Sequence, residues 1–133
     1  MANVGIIGCG NISPIYFQSG QTFDAIDVVA CADLDMDKAR ARGEEFGAEA
    51  VTVEDLLGDP KIDIVMNLTI PAAHYEVALS AVRAGKHVHN EKPLCLEREQ
   101  AATLLSEAEA KGVRVGGAPD TFMGAGHQTC RTL

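Results

Sequence analysis

The chain opens with a short apolar run that ends in a glycine-rich turn and passes directly into a predicted helix. Residues 3–7 have the composition of a strand that is buried on both faces. Ser13-Pro14 predicts a helix with Ser13 as its N-cap and proline at the first helical position. A strand, a glycine turn and a helix in this order form the first unit of a βαβ fold, so this feature favours a parallel α/β sheet.

The alternation of strands and helices continues along the chain. Apolar runs, several rich in β-branched residues, predict further strands at residues 26–32, 51–53, 62–68, 87–89 and 113–116. Helical patterns occupy residues 13–20, 35–46, 54–57, 72–84 and 97–111. Parallel neighbours need long crossovers, and the crossover helices cover both faces of the sheet. The sequence therefore predicts an α/β, doubly wound parallel sheet of the Rossmann dinucleotide-binding type.

The predicted sheet is complete by about residue 117, and residues 124–133 resemble the start of another helix that has no stop signal. We therefore expect a dinucleotide-binding domain at residues 1–120. Residues 121–133 would begin the connection to a second, C-terminal substrate domain that is absent from this chain.

The glycine turn is a candidate phosphate site. Gly8 permits a tight turn, and Gly10 lets the backbone approach a pyrophosphate without a Cβ. Free N–H groups and the positive end of the helix dipole would then hold the phosphates. Ser13 stands where the fingerprint has its third glycine, and its small side chain still allows close helix–strand packing. The alternative is a glycine turn without a ligand, which is common in α/β proteins.

Asp33 ends the second predicted strand, at the spacing from the glycine turn at which a carboxylate accepts hydrogen bonds from the adenosine ribose. Its charge would repel a 2′-phosphate, and Leu34 rather than an arginine follows it. The sequence therefore favours NAD over NADP as the cofactor. The alternative is that Asp33 only caps the next helix, as Asp35 or Asp37 could do.

Two further segments follow predicted strands and would lie at the ligand-binding edge of the sheet. Residues 69–71 leave the fourth strand, and His74 follows in the first helical turn, where it would either line a pocket or face solvent. Residues 91–93 leave the fifth strand. Lys92 could exchange a proton with a substrate hydroxyl, with Glu91 orienting it; the alternative is an ordinary surface turn.

The charge balance excludes some partners. The formal net charge of −8 argues against a nucleic-acid surface, which needs clustered Lys and Arg. No apolar run approaches the roughly 20 residues needed to span a bilayer. We expect a cytoplasmic protein without nucleic-acid or membrane partners.

Metal and disulfide chemistry are not expected either. The four cysteines, Cys9, Cys31, Cys95 and Cys130, show no CxxC spacing and are interpreted as buried thiols. His87 and His89 share a predicted strand face, but no third metal ligand accompanies them.

Several segments together resemble the N-terminal domain of the glucose–fructose oxidoreductase, inositol dehydrogenase and rhizopine catabolism family: GCGNIS, the strand ending at Asp33, NLTIPAAHYEVALSAVRAGKHVHNEKPL and GGAPDTFMG. The resemblance implies NAD(P)-dependent oxidation or reduction of sugars, cyclitols or related alcohols. It also implies residue roles: pyrophosphate contacts from Gly8, Gly10, Asn11 and Ile12, ribose contacts from Asp33, and contacts to the nicotinamide half from Thr69, Pro71 and His74. Glu91 and Lys92 would serve the nicotinamide ribose and the substrate, with Lys92 catalytic. Asp120 and Thr121 would lie near the hinge between the domains.

Two functions remain open at this point. The first is the cofactor domain of an oxidoreductase with a small polyol or sugar substrate, which could also form a homo-oligomer. The second is a non-catalytic NAD(P)-binding sensor or regulatory module. Lys92 favours the enzyme, because a sensor has no evident need of that lysine. Since the family's second domain supplies the substrate pocket, we do not expect these 133 residues to turn over a substrate by themselves.

Overall fold

The computed structural model describes residues 1–119 and 123–133, and a parallel sheet lies at its centre. Its strands are β1 (Ala2–Ile7), β2 (Ile26–Ala32), β3 (Glu49–Ala50), β4 (Ile64–Asn67), β5 (His87–Asn90) and β6 (Val115–Gly117). They lie in the order β3-β2-β1-β4-β5-β6, and every neighbouring pair is parallel. This order confirms the predicted doubly wound fold, because the chain reverses its direction of winding between β1 and β4.

Helices cover both faces of the sheet. They are α1 (Ser13–Thr22), α2 (Met36–Phe46), α3 (Val53–Gly58), α4 (His74–Arg83), α5 (Arg98–Lys111) and α6 (Ala125–Thr132), and a 3₁₀ turn at Pro71–Ala73 leads into α4. Val4 and Ile6 of β1 pack with Phe17 of α1 on one face. Ile7 belongs to the buried cluster on the other face, which also contains Leu79 of α4 and Leu104 of α5. The alternation along β1 explains why the strand is apolar throughout: both of its faces are buried.

Three helix ends have clear capping residues. Gly47 and Gly112 adopt the left-handed conformation directly after α2 and α5, with φ of 80° and 69°. Glycine takes this conformation at the end of a helix without the steric cost that a Cβ brings. Asp35 is the N-cap of α2, where its carboxylate accepts a hydrogen bond from the Asp37 N–H.

Two local predictions are wrong. The third strand was expected at residues 51–53 but occupies Glu49–Ala50, because the Thr52 side chain caps α3 by accepting a hydrogen bond from the Asp55 N–H. Ser13 was expected as the N-cap of α1, but Ile12 takes that position. The Ser13 hydroxyl instead donates to the Gly10 carbonyl at 2.8 Å, which closes the glycine turn on itself.

The C-terminal segment forms α6, as the sequence indicates, and all of its residues are exposed. Asp120 and Thr121, and with them the expected domain boundary, lie outside the described residues. No helix in residues 1–119 or 123–133 is both long and apolar enough to cross a membrane. Cys9 and Cys31 are buried as interpreted, whereas Cys95 is half-buried and Cys130 is exposed, so the buried-thiol interpretation is wrong for Cys130.

Lys86 is a buried lysine directly before β5, at the amino ends of the strands and thus opposite the glycine turn. Only 7% of it is exposed, and its ammonium donates to the carbonyl oxygens of Asp59 and Ile62. We expect Lys86→Met to lower the free energy of unfolding by about 2–4 kcal/mol, because two buried carbonyls lose their donor. Urea denaturation measures this. Lys61→Met is the matched control, since Lys61 is exposed, and it should stay within about 0.5 kcal/mol. Equal stability of the two variants would contradict the role of Lys86.

Candidate functional site

The glycine turn lies at the carboxyl end of β1 and leads into α1. Gly8 has a φ of 105°, and a Cβ at this position would lie 2.6 Å from the carbonyl carbon of Leu68. Gly10 is exposed, and a Cβ there would meet nothing within 4 Å. Gly8 is therefore required for the shape of the turn, whereas Gly10 leaves an open space in front of the helix.

This open space fits the phosphates of a dinucleotide. It faces the N-terminus of α1, where Ile12 offers no side-chain cap and the first turn carries no acidic residue. The Ser13 N–H donates to the Gly10 carbonyl at 3.2 Å and Pro14 has no N–H, so an anion would use the backbone N–H groups on either side of these two residues and the positive end of the helix dipole. Asn11 and Ile12 are exposed beside the same space. The turn therefore has the shape and the donors that an anion requires.

Asp33 lies at the carboxyl end of β2 and holds the glycine turn. Its Oδ2 accepts the Cys9 N–H at 2.7 Å, and its Oδ1 accepts the Asp35 N–H at 2.9 Å. Because Asp35 caps α2, the alternative in which Asp33 is the cap is wrong. Each carboxylate oxygen can accept a second hydrogen bond, so Asp33 keeps the capacity to bind ribose hydroxyls.

A cavity of about 200 Å³ lies beyond the glycine turn, at the carboxyl ends of β4 and β5. The residues that line it are Ile12, Leu68, Thr69, Pro71, His74, Glu91 and Lys92. All except Leu68 are predicted site residues. The structure thus brings the predicted nicotinamide-side residues together with the start of α1.

His74 is 1% exposed, so the alternative in which it faces solvent is wrong. Its Nδ1 lies 2.6 Å from the Pro93 carbonyl oxygen, and its Nε2 lies 2.9 Å from the Thr69 carbonyl oxygen. These two carbonyls belong to the segments that follow β5 and β4. His74 therefore links the two walls of the cavity.

Asn67 and Asn90, the last residues of β4 and β5, support the same walls and were missed by the sequence analysis. The Asn67 amide donates to the His74 carbonyl, and its Oδ1 accepts the Thr69 hydroxyl at 2.6 Å. The Asn90 amide donates to the Leu94 carbonyl at 2.9 Å. The sequence signal that could have identified them is an asparagine at the end of an otherwise apolar strand, because an amide buried there needs hydrogen-bond partners.

Glu91 is half-buried and contacts Lys92 through the backbone. Its Oε1 accepts the Tyr16 hydroxyl, and its Oε2 accepts the Lys92 N–H at 2.8 Å. Burial alone would raise the pKa of Glu91, but these two hydrogen bonds and the nearby Lys92 charge bring the pKa below its ordinary value. Lys92 is exposed at the cavity, and its ammonium forms no ion pair within the described part of the chain.

Metal and disulfide chemistry are the two other possibilities that the His and Cys residues raise. No group of three or more His, Cys, Asp or Glu side chains could hold a metal ion within residues 1–119 and 123–133. His87 Nδ1 accepts the Arg114 N–H at 3.0 Å, so it has a structural partner. A hydrogen bond with Cys31, burial and the charge of Asp33 raise the pKa of the Cys9 thiol, which keeps it protonated.

The winding reversal, the glycine turn and the cavity at the β4 and β5 ends together define a dinucleotide-binding domain. The family model described as "Oxidoreductase family, NAD-binding Rossmann fold" matches residues 2–118, and the chain belongs to this family. The match confirms the resemblance seen in the sequence.

Curated relatives in this family are oxidoreductases. The chain is 32% identical over 119 residues to an inositol 2-dehydrogenase/D-chiro-inositol 3-dehydrogenase of Lactiplantibacillus plantarum, a match covering 86% of the chain and 34% of the relative. It is 32% identical over 129 residues to a 1,5-anhydro-D-fructose reductase of Ensifer adhaerens, covering 96% of the chain and 39% of the relative. The chain thus spans little more than a third of the length of these relatives.

Solved structures give the same result. A 3-ketoreductase of Actinomadura kijaniata, determined with NADP and TDP-benzene, superposes with a TM-score of 0.90 at 30% identity, covering 98% of the chain and 42% of the ketoreductase. A biliverdin reductase of Synechocystis, determined with biliverdin and NADP+, superposes with a TM-score of 0.89 at 27% identity, covering 98% and 42%. These matches support an oxidoreductase and give no support to a regulatory module without catalysis.

Proposed function

We propose that this chain is the cofactor domain of an oxidoreductase that transfers a hydride between NAD and a sugar, cyclitol or related alcohol. The observation that carries the proposal is the convergence of His74, Glu91 and Lys92 on one cavity beside the glycine turn. Phosphate-binding features alone would fit many nucleotide-binding proteins. A lysine at the far end of the same crevice adds a group that can exchange a proton with a substrate.

Each part of the crevice has its own role in this proposal. The backbone at Gly8, Gly10 and the start of α1 holds the pyrophosphate, and Asp33 binds the adenosine ribose. The nicotinamide, when bound, supplies or accepts the hydride. Thr69, Pro71 and His74 form the wall around that half of the cofactor.

Lys92 acts on the substrate in this proposal. Its ammonium gives a proton to the substrate oxygen when a carbonyl is reduced, and its neutral amine takes one from the hydroxyl when an alcohol is oxidised. The substrate would lie between Lys92 and a second domain. The relatives are long enough to contain such a domain, because this chain spans only 34% and 39% of their length. We place this protein in the cytoplasm, and the protein could also form a homo-oligomer.

Titration calorimetry of NADH into the chain tests the proposal directly. We expect saturable binding of one cofactor per chain, since the structure has one glycine turn at the winding reversal. Absence of any NADH binding to folded protein would contradict the proposal.

Asp33 should make the chain prefer NADH over NADPH. A 2′-phosphate would come close to a carboxylate whose oxygens already hold the Cys9 and Asp35 N–H groups, so the side chain is not free to turn away. We expect NADH to bind at least about tenfold more tightly than NADPH, because this is the usual contribution of one hydrogen bond to a charged group. Calorimetry with both cofactors measures the ratio.

Asp33→Asn separates the charge of Asp33 from its shape. The amide keeps one acceptor oxygen, but its NH2 group cannot accept the second of the two N–H groups that Asp33 holds, so circular dichroism must show that the variant is folded. In folded Asp33→Asn the preference for NADH should fall toward unity. Asp37→Asn is the matched control, because Asp37 is an exposed acid in the first turn of α2, and it should leave the ratio unchanged. A preference for NADPH in the unmodified chain would remove Asp33 from this role.

A further inference from the structure

Tyr16 lies in α1, one helical turn after the N-terminus that faces the glycine turn. Its ring is half-buried over β5, where it lies 6.5 Å from the His89 ring with a tilt of 52° between the two planes. The helix proposed to hold the phosphates therefore also carries a side chain that reaches the nicotinamide end of the crevice.

The Tyr16 hydroxyl begins a chain of two hydrogen bonds that ends at Lys92. It donates to Glu91 Oε1 at 2.5 Å, across 75 residues of sequence. The other oxygen of the same carboxylate accepts the Lys92 N–H at 2.8 Å. One carboxylate thus connects α1 to the backbone of the residue that we place at the substrate.

The neighbouring parts of the segment after β5 are held differently. His74 contacts the Pro93 carbonyl oxygen, and the Asn90 amide donates to the Leu94 carbonyl. Neither contact reaches the N–H of Lys92, which is held by Glu91. The Glu91 backbone is held by its N–H, which donates to the Asn67 carbonyl at 3.0 Å. The Glu91 carboxylate is held by the Tyr16 hydroxyl and in turn accepts the Lys92 N–H.

We propose that Tyr16 is a positioning residue for the nicotinamide end of the site, acting through Glu91 on Lys92. The proposal rests on the proposed function, because it presumes that a nicotinamide cofactor occupies the crevice. Loss of the Tyr16 hydroxyl should release the Glu91 carboxylate and weaken its hold on the Lys92 N–H, while the contacts of His74 and Asn90 to the same wall remain. The glycine turn, whose closing contacts come from Ser13 and Asp33, should remain as it is.

The test compares two probes in two variants. ADP has the adenosine and both phosphates but lacks the nicotinamide riboside, whereas NADH has all of them. In Tyr16→Phe we expect NADH binding to weaken by about tenfold and ADP binding to change by less than about twofold. Tyr75→Phe is the matched control, because Tyr75 packs against the core on α4 and is not part of the cavity. It should leave both affinities unchanged.

Different failures lead to different conclusions. If Tyr16→Phe bound ADP and NADH with equally weakened affinity, Tyr16 would only support α1. If neither affinity changed, the Tyr16 hydroxyl would have no role in binding. Either result overturns this proposal but not the proposed function. An unmodified chain that is folded and binds neither probe would overturn the proposed function, and this proposal with it.

The titration of Glu91 gives a second readout that needs no ligand. The Tyr16 hydroxyl is one of the groups that lower the pKa of this carboxyl. In Tyr16→Phe the pKa of Glu91, followed by carboxyl ¹³C NMR against pH, should therefore rise, whereas Tyr75→Phe should leave it in place. A Glu91 titration that is the same in all three proteins would overturn the proposed link.

Discussion

The Gly10→Val variant should remain folded and lose its affinity for NADH by about 10²-fold or more. The fold tolerates the change because a Cβ at this position meets nothing within 4 Å. The branched side chain would instead fill the space in front of α1 in which we place the phosphates. The expected loss corresponds to about two hydrogen bonds to a charged group. Calorimetry measures the affinity, and circular dichroism with a urea midpoint measures the fold.

Gly8→Ala is the matched control and should behave in the opposite way. Its Cβ would lie 2.6 Å from the Leu68 backbone, and its φ of 105° is strained for any residue with a Cβ. We expect a loss of about 3 kcal/mol or more in the free energy of unfolding. A stable Gly8→Ala variant, or a folded Gly10→Val variant that binds NADH normally, would show that the two glycines have been given the wrong roles.

Lys92→Ala should lower kcat by about 10²–10⁴-fold in a protein that joins this domain to a substrate domain, because that is the usual contribution of general acid–base catalysis. The affinity for NADH should change by only a few-fold, since the Lys92 side chain is exposed and the wall around the nicotinamide rests on its backbone. Steady-state kinetics gives kcat, and calorimetry gives the affinity.

The control for Lys92 is Lys111→Ala, at the exposed end of α5, which should leave both quantities unchanged. If Lys92→Ala lost NADH affinity in proportion to its rate, Lys92 would be a binding residue rather than an acid–base group. An unchanged kcat in Lys92→Ala would show that Lys92 has no acid–base role and is only part of a structural turn.

Most of the fold could be predicted, because a strand that is buried on both faces of the sheet is a continuous apolar run in the sequence. The strand β2 was predicted with its observed ends, Ile26–Ala32, since the apolar run begins and ends where the sheet does. The strand β3 was misplaced because a strand of two residues has no pattern of its own. There the hydroxyl of Thr52 decides the local structure by starting α3, against the strand propensity of Val51 and Val53.

The candidate site could be predicted wherever its residues follow a strand. The carboxyl ends of parallel strands meet at one edge of a sheet, so the glycine turn, Thr69 and Lys92 were expected to lie together. The contacts of Tyr16 and the burial of His74 could not be predicted in this way. They depend on how far α1 and α4 lean over that edge, which is set by helix packing and not by any local pattern.

The position of β1 in the sheet has a consequence for how the protein is made. Its Val4 pairs with Val28 on one side and with Ile64 on the other. When the first three strands have left the ribosome, one edge of β1 still lacks its neighbour, and an open strand edge can pair with other chains. This edge is closed only when β4 emerges, and β5 then brings Glu91 and Lys92. Because Gly8 lies against the Leu68 backbone that follows β4, the glycine turn also takes its final shape only when β4 has joined the sheet.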